Sequence, residues 1–324
     1  MRMLRMKKFA IKALMLADAA LFPFVCSAAL LLKLIRFVGV HYLPLSKKAL
    51  LQIGVFPIGN DYYEPMFDAR HLRYPLSQER DLQGIDWNVT QQLEMLDGFQ
   101  YENELNNVPL TPKDELTFYL NNTRFESGDA EYWYNLIRLV KPGKIFEIGS
   151  GHSTLMAIKA LEKNKQEDPA YRCRHICIEP YEMPWLEKTS ATIVRDKIEN
   201  LEKSFFAELE ENDILFIDSS HIIRPQGDVL FEYLELLPSL GQGVIVHVHD
   251  IFSPADYPET WIKEEVKFWN EQYLLEAFLT SNSDWKIIGA LNYLHRHHYQ
   301  KLKAKCPFLT PVRNPGSFYI QKTS

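Results

Sequence analysis

The stretch FEIGSGHSTL, residues 146–155, places a short apolar run directly before two glycines and a helix-like segment. Gly149 and Gly151 permit a tight strand-to-helix turn and let a ligand approach the backbone closely. A dinucleotide fingerprint would place another glycine at Thr154, so the pattern disfavours nicotinamide and flavin cofactors. A glycine pair alone is also compatible with a purely structural turn. An acid, Glu147, stands two residues before the first glycine, and it favours a turn that binds a ligand over a purely structural one.

Apolar runs and helix-like segments alternate from residue 129 onwards. A helical stretch, DAEYWYNLIRLV, ends at the stop signal Lys141-Pro142-Gly143. Strand-like runs lie at 145–148, 175–179, 191–194, 213–218 and 243–250, and helix-like segments lie near 152–164, 226–239 and 260–280. This alternation predicts a parallel sheet with helices on both faces, where ligands bind at the carboxyl ends of the strands.

Acids and histidines follow several of these predicted strands. Glu179 ends the second strand, 30 residues after Gly149, where a carboxylate can accept the hydroxyls of a ribose; a surface acid is the alternative. The turn at 195–198 would flank an adenine. Asp218 and His221 follow the fourth strand, and His249 and Asp250 follow the fifth. Because those strand ends should be neighbours, we expect these four side chains to converge in one crevice.

Two uses of this cluster remain open on the residues alone. A divalent ion would be held by Asp218 and Asp250, with His249 as a third candidate ligand. Alternatively, His221 or His249 acts as a general base, and a protonated histidine compensates the two like charges. His247 should point the same way as His249 but lie deeper in the sheet, where a structural role is about as well supported.

Composition narrows the class of protein. The chain has 324 residues, with 46% hydrophobic and 24% charged residues and a net charge of −6, which is ordinary for a globular protein and unlike a nucleic-acid-binding surface. Nine Lys/Arg and one acid fall within residues 1–48, so a basic arm precedes an acidic body. Four scattered cysteines, Cys26, Cys173, Cys177 and Cys306, predict neither a disulfide framework nor a zinc site and fit a cytosolic catalytic body.

The basic arm contains an apolar stretch, ALMLADAALFPFVCSAALLL, at residues 13–32. Its length suits a bilayer-spanning helix, and basic residues stand on both sides of it. A cleaved signal peptide, a single span, and a re-entrant or interfacial helix pair broken near Pro23 are the competing interpretations. We favour the helix pair because it accounts for both basic flanks; a buried helix of a soluble fold is less compatible with them.

The remaining features have simpler interpretations. Residues 49–128 predict an irregular substrate or cap region between the membrane-associating segment 1–48 and a catalytic domain at 129–324, and Tyr62, Tyr63 and Glu64 are candidates to reach over the site. The tract 295–298, HRHH, is expected to be surface rather than a metal site. Four aromatic residues should be core packing of one helix: Trp261, Trp269, Tyr273 and Phe278.

Several motifs together resemble a known family. FEIGSGHSTL (146–155), DILFIDSSH (213–221) and VHVHDIFSPADYP (246–258) are similar to class I S-adenosylmethionine-dependent methyltransferases, and more closely to a bacterial membrane-associated sub-family of unassigned substrate. The resemblance extends through WNEQYLLEAFL (269–279) and PGSFYIQK (315–322). It implies a Rossmann-like α/β fold with a seven-stranded, mostly parallel sheet whose last strand, about 317–321, is antiparallel.

The resemblance also implies roles for individual residues. The cofactor S-adenosylmethionine would be bound by Glu147, Gly149, Ser150, Gly151, Glu179 and Asp218, and the catalytic residues would be His221, His249, Asp218 and Asp250. Asp218 and Asp250 align with metal-binding acids of metal-dependent O-methyltransferases. Ile251 stands where catechol-type enzymes place a ligand amide, so the metal-free alternative with a histidine base is favoured.

These observations predict a methyltransferase that methylates an oxygen, or less readily a nitrogen, of a small-molecule or glycolipid acceptor, of the lipid-linked or surface-glycan type. The apolar basic arm predicts attachment to inner-membrane lipid with the catalytic domain on the cytoplasmic side, and no nucleic-acid partner is expected. The alternative is a membrane-tethered cofactor-binding protein without methyl transfer, or a non-methylating enzyme on the same fold.

Overall fold

The computed structural model describes residues 2–181 and 183–324, with side chains from residue 11 onwards. The chain divides into two compact units, Met1–Arg73 and Tyr74–Ser324. The segment 49–128, expected to form one cap region, is therefore divided between the two units. Four basic residues of the arm have side chains outside the described part of the chain: Arg2, Arg5, Lys7 and Lys8.

The first unit begins with one long helix, α1 (Arg2–Val38), followed by α2 (Pro44–Ile53). The predicted break near Pro23 is wrong, because α1 continues through this proline. A proline removes a single backbone hydrogen bond of a helix, and the flanking alanines and leucines are strong helix formers. The hydroxyl of Ser27 donates to the carbonyl of Pro23 at 2.9 Å. Residues Ile11–Val38 are long and apolar enough to cross a membrane, and their most apolar window is unburied.

The second unit is built on a seven-stranded sheet, counted over the described residues, with the order β3-β2-β1-β4-β5-β7-β6. The strands are β1 (Lys144–Ile148), β2 (Arg174–Ile178), β3 (Thr192–Val194), β4 (Ile214–Ile217), β5 (Ile245–Val248), β6 (Trp285–Ala290) and β7 (Phe318–Lys322). β1 to β5 pair in parallel, and β7 pairs antiparallel with β5 and β6. The predicted fold is confirmed, and β6 is a strand that the sequence patterns did not indicate.

Helices cover both faces of this sheet. They are α3 (Val89–Gly98), α4 (Asp129–Val140), α5 (His152–Glu167), α6 (Asp228–Phe231), which continues through a π-helical turn into α7 (Leu237–Ser239), then α8 (Glu271–Leu279), α9 (Leu291–His297) and α10 (Tyr299–Lys305). Strand residues alternate between two apolar cores: Ile145 joins α4 and α5 on one face, and Phe146 and Ile148 join the core on the other.

The helix expected over residues 260–280 is interrupted. A π-helical turn spans Thr260–Glu264, Val266 adopts the left-handed conformation with φ of +54°, and α8 begins only at Glu271. Trp261 and Trp269 therefore do not share a helix with Tyr273 and Phe278, and the prediction that these four aromatic side chains pack from one helix is wrong. The break leaves Trp261 in the π-helical turn and Trp269 in the loop before α8, and both side chains line a cavity described below.

Candidate active site

The turn after β1 requires glycine at one position. Gly149 has φ of +76°, and a Cβ built there would lie 1.9 Å from the carbonyl oxygen of Asp218, so no larger residue fits. The Gly149 N–H donates to the carbonyl of Ile178 at 3.0 Å, and the Asp218 N–H donates to that of Ile148 at 2.8 Å. These bonds tie together the carboxyl ends of β1, β2 and β4, and a side chain at Gly149 would separate them.

The neighbouring positions leave room for a ligand. At Gly151 a Cβ would meet only the Met183 side chain, at 3.8 Å. The buried hydroxyl of Ser150 has no hydrogen-bond partner among the described residues. Glu179, at the end of β2, accepts the N–H groups of Ser150 at 3.3 Å and Tyr181 at 2.9 Å. An unpaired hydroxyl beside an oriented carboxylate suits a polar ligand such as a nucleoside.

A cavity of about 680 Å³ opens above these strand ends, which is a usual size for a small-molecule or cofactor site. All of its lining residues belong to the second unit. They include most of the predicted site residues, namely Gly149, Ser150, Gly151, Glu179, Asp218, His221, His249 and Asp250. Lys197 and Ile198, from the turn expected beside an adenine, also line it.

Glu147 is not among the cavity-lining residues, in contrast to the expectation that it contacts the cofactor. Its side chain is fully buried and lies on the α5 face of the sheet, because it alternates with Phe146 and Ile148 along β1. Its carboxylate accepts the hydroxyls of Ser153 at 3.1 Å and Thr154 at 2.7 Å, and it contacts His175 Nε2 at 2.7 Å. Glu147 therefore fixes the start of α5 from below the glycine turn.

The four polar residues after β4 and β5 do converge. His221 Nε2 lies 3.2 Å from Asp218 Oδ1 and 3.7 Å from Asp250 Oδ2. His249 Nδ1 lies 3.4 Å from Asp218 Oδ1 and 3.6 Å from Asp250 Oδ1. His221 and Asp250 both have positive φ, +61° and +59°. Such costly backbone conformations in residues other than glycine concentrate at functional sites, and here they turn both side chains into the cavity.

Glu271 is a member of this cluster that the sequence reasoning missed. This fully buried carboxylate contacts His221 Nδ1 at 2.7 Å and accepts the hydroxyl of Tyr233 at 3.0 Å. The His221 ring is therefore held from behind, with Nε2 directed at the two aspartates. The acid in WNEQYLL was a visible signal, but the 50 residues between Glu271 and His221 hid the pairing.

The electrostatics of the cluster follow from its close spacing. Burial lowers the pKa of His221, but Asp218 and Glu271 outweigh it and hold that pKa well above its usual value. Burial likewise opposes the charged form of His249, yet Asp250 and Asp218 raise its pKa to about 10. Burial would raise the pKa of Asp218, but His249 and His221 hold it well below its usual range. Imidazolium groups thus compensate the paired carboxylates in this site.

The same residues form a donor set for a cation. Asp218, His221 and Asp250 each offer one ligand atom, and these atoms lie within 4.8 Å of one another. Two carboxylates and an imidazole fit magnesium, manganese or zinc. Ile251 cannot contribute, because its side chain is buried in the apolar core. His249 Nδ1 makes no well-aligned hydrogen bond to a described residue, although Asp218 Oδ1 lies 3.4 Å and Asp250 Oδ1 3.6 Å from it.

His247 lies outside the cavity. Its ring is fully buried and stacks on Tyr319 with ring centres 4.1 Å apart, and Phe216 packs at 4.6 Å. Burial and the neighbouring His249 hold the pKa of His247 well below its usual value, so it is a neutral packing residue. In the tract 295–298, His297 contacts the carboxylate of Glu79 at 2.9 Å on the surface.

The chain is similar to known proteins in sequence and in fold. Residues 146–251 match the family model described as a methyltransferase domain. An uncharacterized protein of Archaeoglobus fulgidus is 30% identical over 173 residues, which cover 49% of this chain and 76% of that protein. Among solved structures, an O-methyltransferase of Bacillus cereus in complex with S-adenosylhomocysteine is similar over 72% of this chain and 91% of its own, at 12% identity and a TM-score of 0.36.

A second solved structure is the TDP-rhamnose 3'-O-methyltransferase of calicheamicin biosynthesis, similar over 75% of this chain and 99% of its own, at 16% identity and a TM-score of 0.38. The matched domain and the seven-stranded sheet define the class: the chain is a methyltransferase with the Rossmann-like class I fold. Within that class it shares its family with the uncharacterized Archaeoglobus protein.

Proposed function

We propose that this methyltransferase transfers the methyl group to a hydroxyl oxygen of a lipid-linked or surface-glycan precursor at the cytoplasmic face of a membrane. The single observation that carries the proposal is the convergence of Asp218, His221, His249 and Asp250 in the cavity that holds the glycine turn. Proton-accepting groups beside a methyl donor are what methylation of a hydroxyl requires.

The proposed cofactor is S-adenosylmethionine, which would supply an electrophilic methyl group on a sulfonium. Gly149, Ser150 and Gly151 would hold its methionine part, Glu179 its ribose, and Asp218 the region near the sulfonium. The close approach of backbone and ligand at the turn and the unpaired Ser150 hydroxyl support this assignment. Methyl transfer needs the acceptor oxygen, the methyl carbon and sulfur in line, so the main contribution of these residues is positioning.

His221 is the proposed base. Its Nε2 takes the proton of the acceptor hydroxyl as the oxygen bonds the methyl carbon, and Glu271 holds Nδ1 throughout. The resulting imidazolium is stabilised by Asp218 and Asp250, with His249 as the second imidazole of the site. His221 must be neutral to accept this proton. The bound cofactor would carry a positive charge on its sulfonium, and a like charge nearby lowers the pKa of an imidazolium, which favours the neutral form of His221.

A metal-assisted version uses the same residues. Asp218 and Asp250, together with His221, would hold a divalent ion, which would orient and acidify the acceptor hydroxyl in place of a histidine base. A chelator distinguishes the two versions. Activity that survives chelation supports the histidine base, whereas complete loss restored by magnesium or manganese supports the ion.

Membrane attachment is assigned to the first unit. The support is α1, whose apolar residues Ile11–Val38 are unburied, together with Lys33, Lys47 and Lys48, whose charges suit anionic headgroups. A chain beginning at Tyr74 keeps the whole second unit. We expect it to leave the membrane fraction while it still binds the cofactor, and sedimentation with membranes would place the anchor elsewhere.

The acceptor is tested directly with the full chain. Purified protein and S-adenosylmethionine labelled in the methyl group are incubated with lipid and glycan extracts, and His221→Ala serves as the inactive control. Label is expected in a lipid-linked or glycan fraction, stable to the base treatment that cleaves methyl esters, as an ether would be. Label in protein alone would contradict the acceptor class. Cofactor binding without transfer to any extract would favour a binding protein on the same fold.

A further inference from the structure

A lysine in the cavity wall lies between two indole rings. Lys267 Nζ is 4.0 Å from the ring centre of Trp261 and 4.2 Å from that of Trp269. The two indoles meet edge to face, with centres 5.0 Å apart. All three side chains line the same cavity as the carboxylate–histidine cluster. Cation–π contacts on two sides hold the ammonium in place and remove part of its water.

The backbone of this loop is shaped to present the lysine. The Lys267 N–H donates to the carbonyl of Trp261 at 2.9 Å, which closes a tight loop. Val266, directly before the lysine, has φ of +54°, a conformation that a β-branched residue adopts only at a cost in free energy. The Asn270 N–H then donates to the carbonyl of His221 at 3.0 Å, which fastens the loop beside the catalytic cluster.

Lys267 lines the cavity and is also ion-paired outside it. Its carboxylate contact is Glu265 at 3.0 Å, a half-exposed side chain that does not line the cavity. Burial raises the pKa of Asp250, and the positive charge of Lys267 opposes part of that rise, so its field reaches the cluster. Arg224 is a second cation in the wall, more than half exposed, with Nη2 3.5 Å from Asp228. Asp228 also lines the cavity, so Lys267 and Arg224 bring positive charge to its wall from two segments, with the charge of Arg224 partly balanced.

We propose that Lys267 binds an anionic group of the methyl acceptor, a phosphate or a carboxylate close to the hydroxyl that is methylated. This inference rests on the proposed function and specifies its substrate. The indoles position the ammonium rather than stack on the acceptor, because Lys267 lies over both rings and His221 packs on Trp269 with centres 4.2 Å apart. A hydrogen bond between ionised partners is among the stronger polar contacts a site can make.

Two sources of the anion share this chemistry, the phosphate of a lipid- or nucleotide-linked sugar and the carboxylate of an acidic sugar. The test titrates the full chain, saturated with S-adenosylhomocysteine, with inorganic pyrophosphate, with glucuronate, and with neutral glucose. Tryptophan fluorescence reports the binding, because Trp261 and Trp269 contact the lysine. Saturable binding of pyrophosphate would identify the phosphate source, and saturable binding of glucuronate would identify the acidic sugar.

Three variants make the test specific. Lys267→Met keeps an unbranched apolar stem between the indoles and should weaken anion binding about tenfold or more, whereas Lys267→Arg should retain it. Lys263→Met is the matched control, since Lys263 lies in the same segment, pairs with Glu259 and does not line the cavity. Its anion affinity should equal that of the unaltered protein.

The outcomes separate this inference from the function on which it rests. Two results would overturn the inference. One is an equal anion affinity in Lys267→Met and the unaltered protein, and the other is that neither pyrophosphate nor glucuronate binds saturably. The affinity for S-adenosylhomocysteine is measured by calorimetry on the same samples. If the unaltered protein does not bind S-adenosylhomocysteine, the proposed function itself fails; if it does and only the anion result is negative, the acceptor is uncharged at this position.

Discussion

Two carboxylate–histidine clusters in this protein use the same ingredients with different surroundings. In the sealed cluster, Glu147 contacts His175 at 2.7 Å, and Cys177 Sγ lies 3.8 Å from the same imidazole nitrogen. In the open cluster, His221 lies between Asp218 and Asp250. Each cluster offers three ligand atoms close enough for a metal ion. Ligand spacing alone therefore does not distinguish them.

Access to a ligand is what separates the clusters. All three residues of the sealed cluster are buried, and the Glu147 carboxylate is satisfied by Ser153, Thr154 and His175. It holds β1, β2 and the start of α5 together. The open cluster lines the 680 Å³ cavity, where a bound molecule can contact its side chains. The comparison teaches that the same pair of groups can stabilise a fold where it is enclosed and is accessible to a ligand where it meets a cavity.

The largest expected effect is on turnover in the open cluster. His221→Ala removes the proposed base and should lower kcat by about 10²- to 10⁴-fold. Cofactor affinity, measured by calorimetry, should be nearly unchanged, because the glycine turn and Glu179 are untouched. His175→Ala is the matched variant in the sealed cluster. The molecules of this variant that remain folded should have a kcat within a few fold of that of the unaltered protein. A comparable kcat loss in both variants would contradict the division of roles.

The next effect is on stability in the sealed cluster. Glu147→Ala leaves the His175 imidazole without its carboxylate and the Ser153 and Thr154 hydroxyls without their acceptor. Breaking a buried ion pair from one side costs about 3–5 kcal/mol in the free energy of unfolding, measurable by urea denaturation. A loss of activity at unchanged stability would show instead that Glu147 contacts the cofactor.

A smaller effect is expected for the carboxylate behind His221. Glu271→Gln preserves size and the contact to Tyr233 but removes the charge that orients the imidazole. We expect kcat to fall about 10- to 100-fold, with the KM for S-adenosylmethionine changed little. Glu276→Gln, on the same helix and outside the cavity-lining set, is the control for loss of a buried acid. Equal kcat in Glu271→Gln and the unaltered protein would remove the positioning role.

The last expected effect is the pH dependence of stability that the sealed cluster confers. Burial opposes the charged form of His175, but Cys177 and Glu147 outweigh it and raise its pKa from 6.5 to about 10. A group with a raised pKa in the folded state stabilises fully below its unfolded pKa. This contribution is lost as the pH rises through about 10. Urea denaturation from pH 7 to pH 10 should therefore show falling stability, and His175→Phe should flatten that fall.

Short-range patterns were sufficient to predict many of the residues that line the cavity. The glycine turn and the strand-end acids at Glu179, Asp218 and Asp250 were predicted because strand alternation and turn chemistry act over a few residues. The convergence of Asp218 with Asp250 followed from one topological rule, that adjacent parallel strands end at the same edge of the sheet.

Other features depended on contacts between distant segments. The direction of Glu147 follows from which core its strand neighbours join, and the break at Val266 places Trp261 and Trp269 around Lys267 instead of along one helix. The contact of Glu271 with His221 spans 50 residues. At the amino terminus the apolar pattern identified a helix, but Pro23 misled the prediction of its continuity.

The amino-acid sequence by itself determined the class of fold, the glycine turn, the strand-end acids and the apolar character of the first helix. These depend on backbone conformation and side-chain periodicity, which are properties of neighbouring residues. Only the tertiary structure decided that Glu147 is enclosed, that Glu271 holds His221, and that Lys267 lies between two indoles. Each of these depends on packing between segments far apart in the chain, because burial and the local dielectric are set by whatever the fold brings alongside.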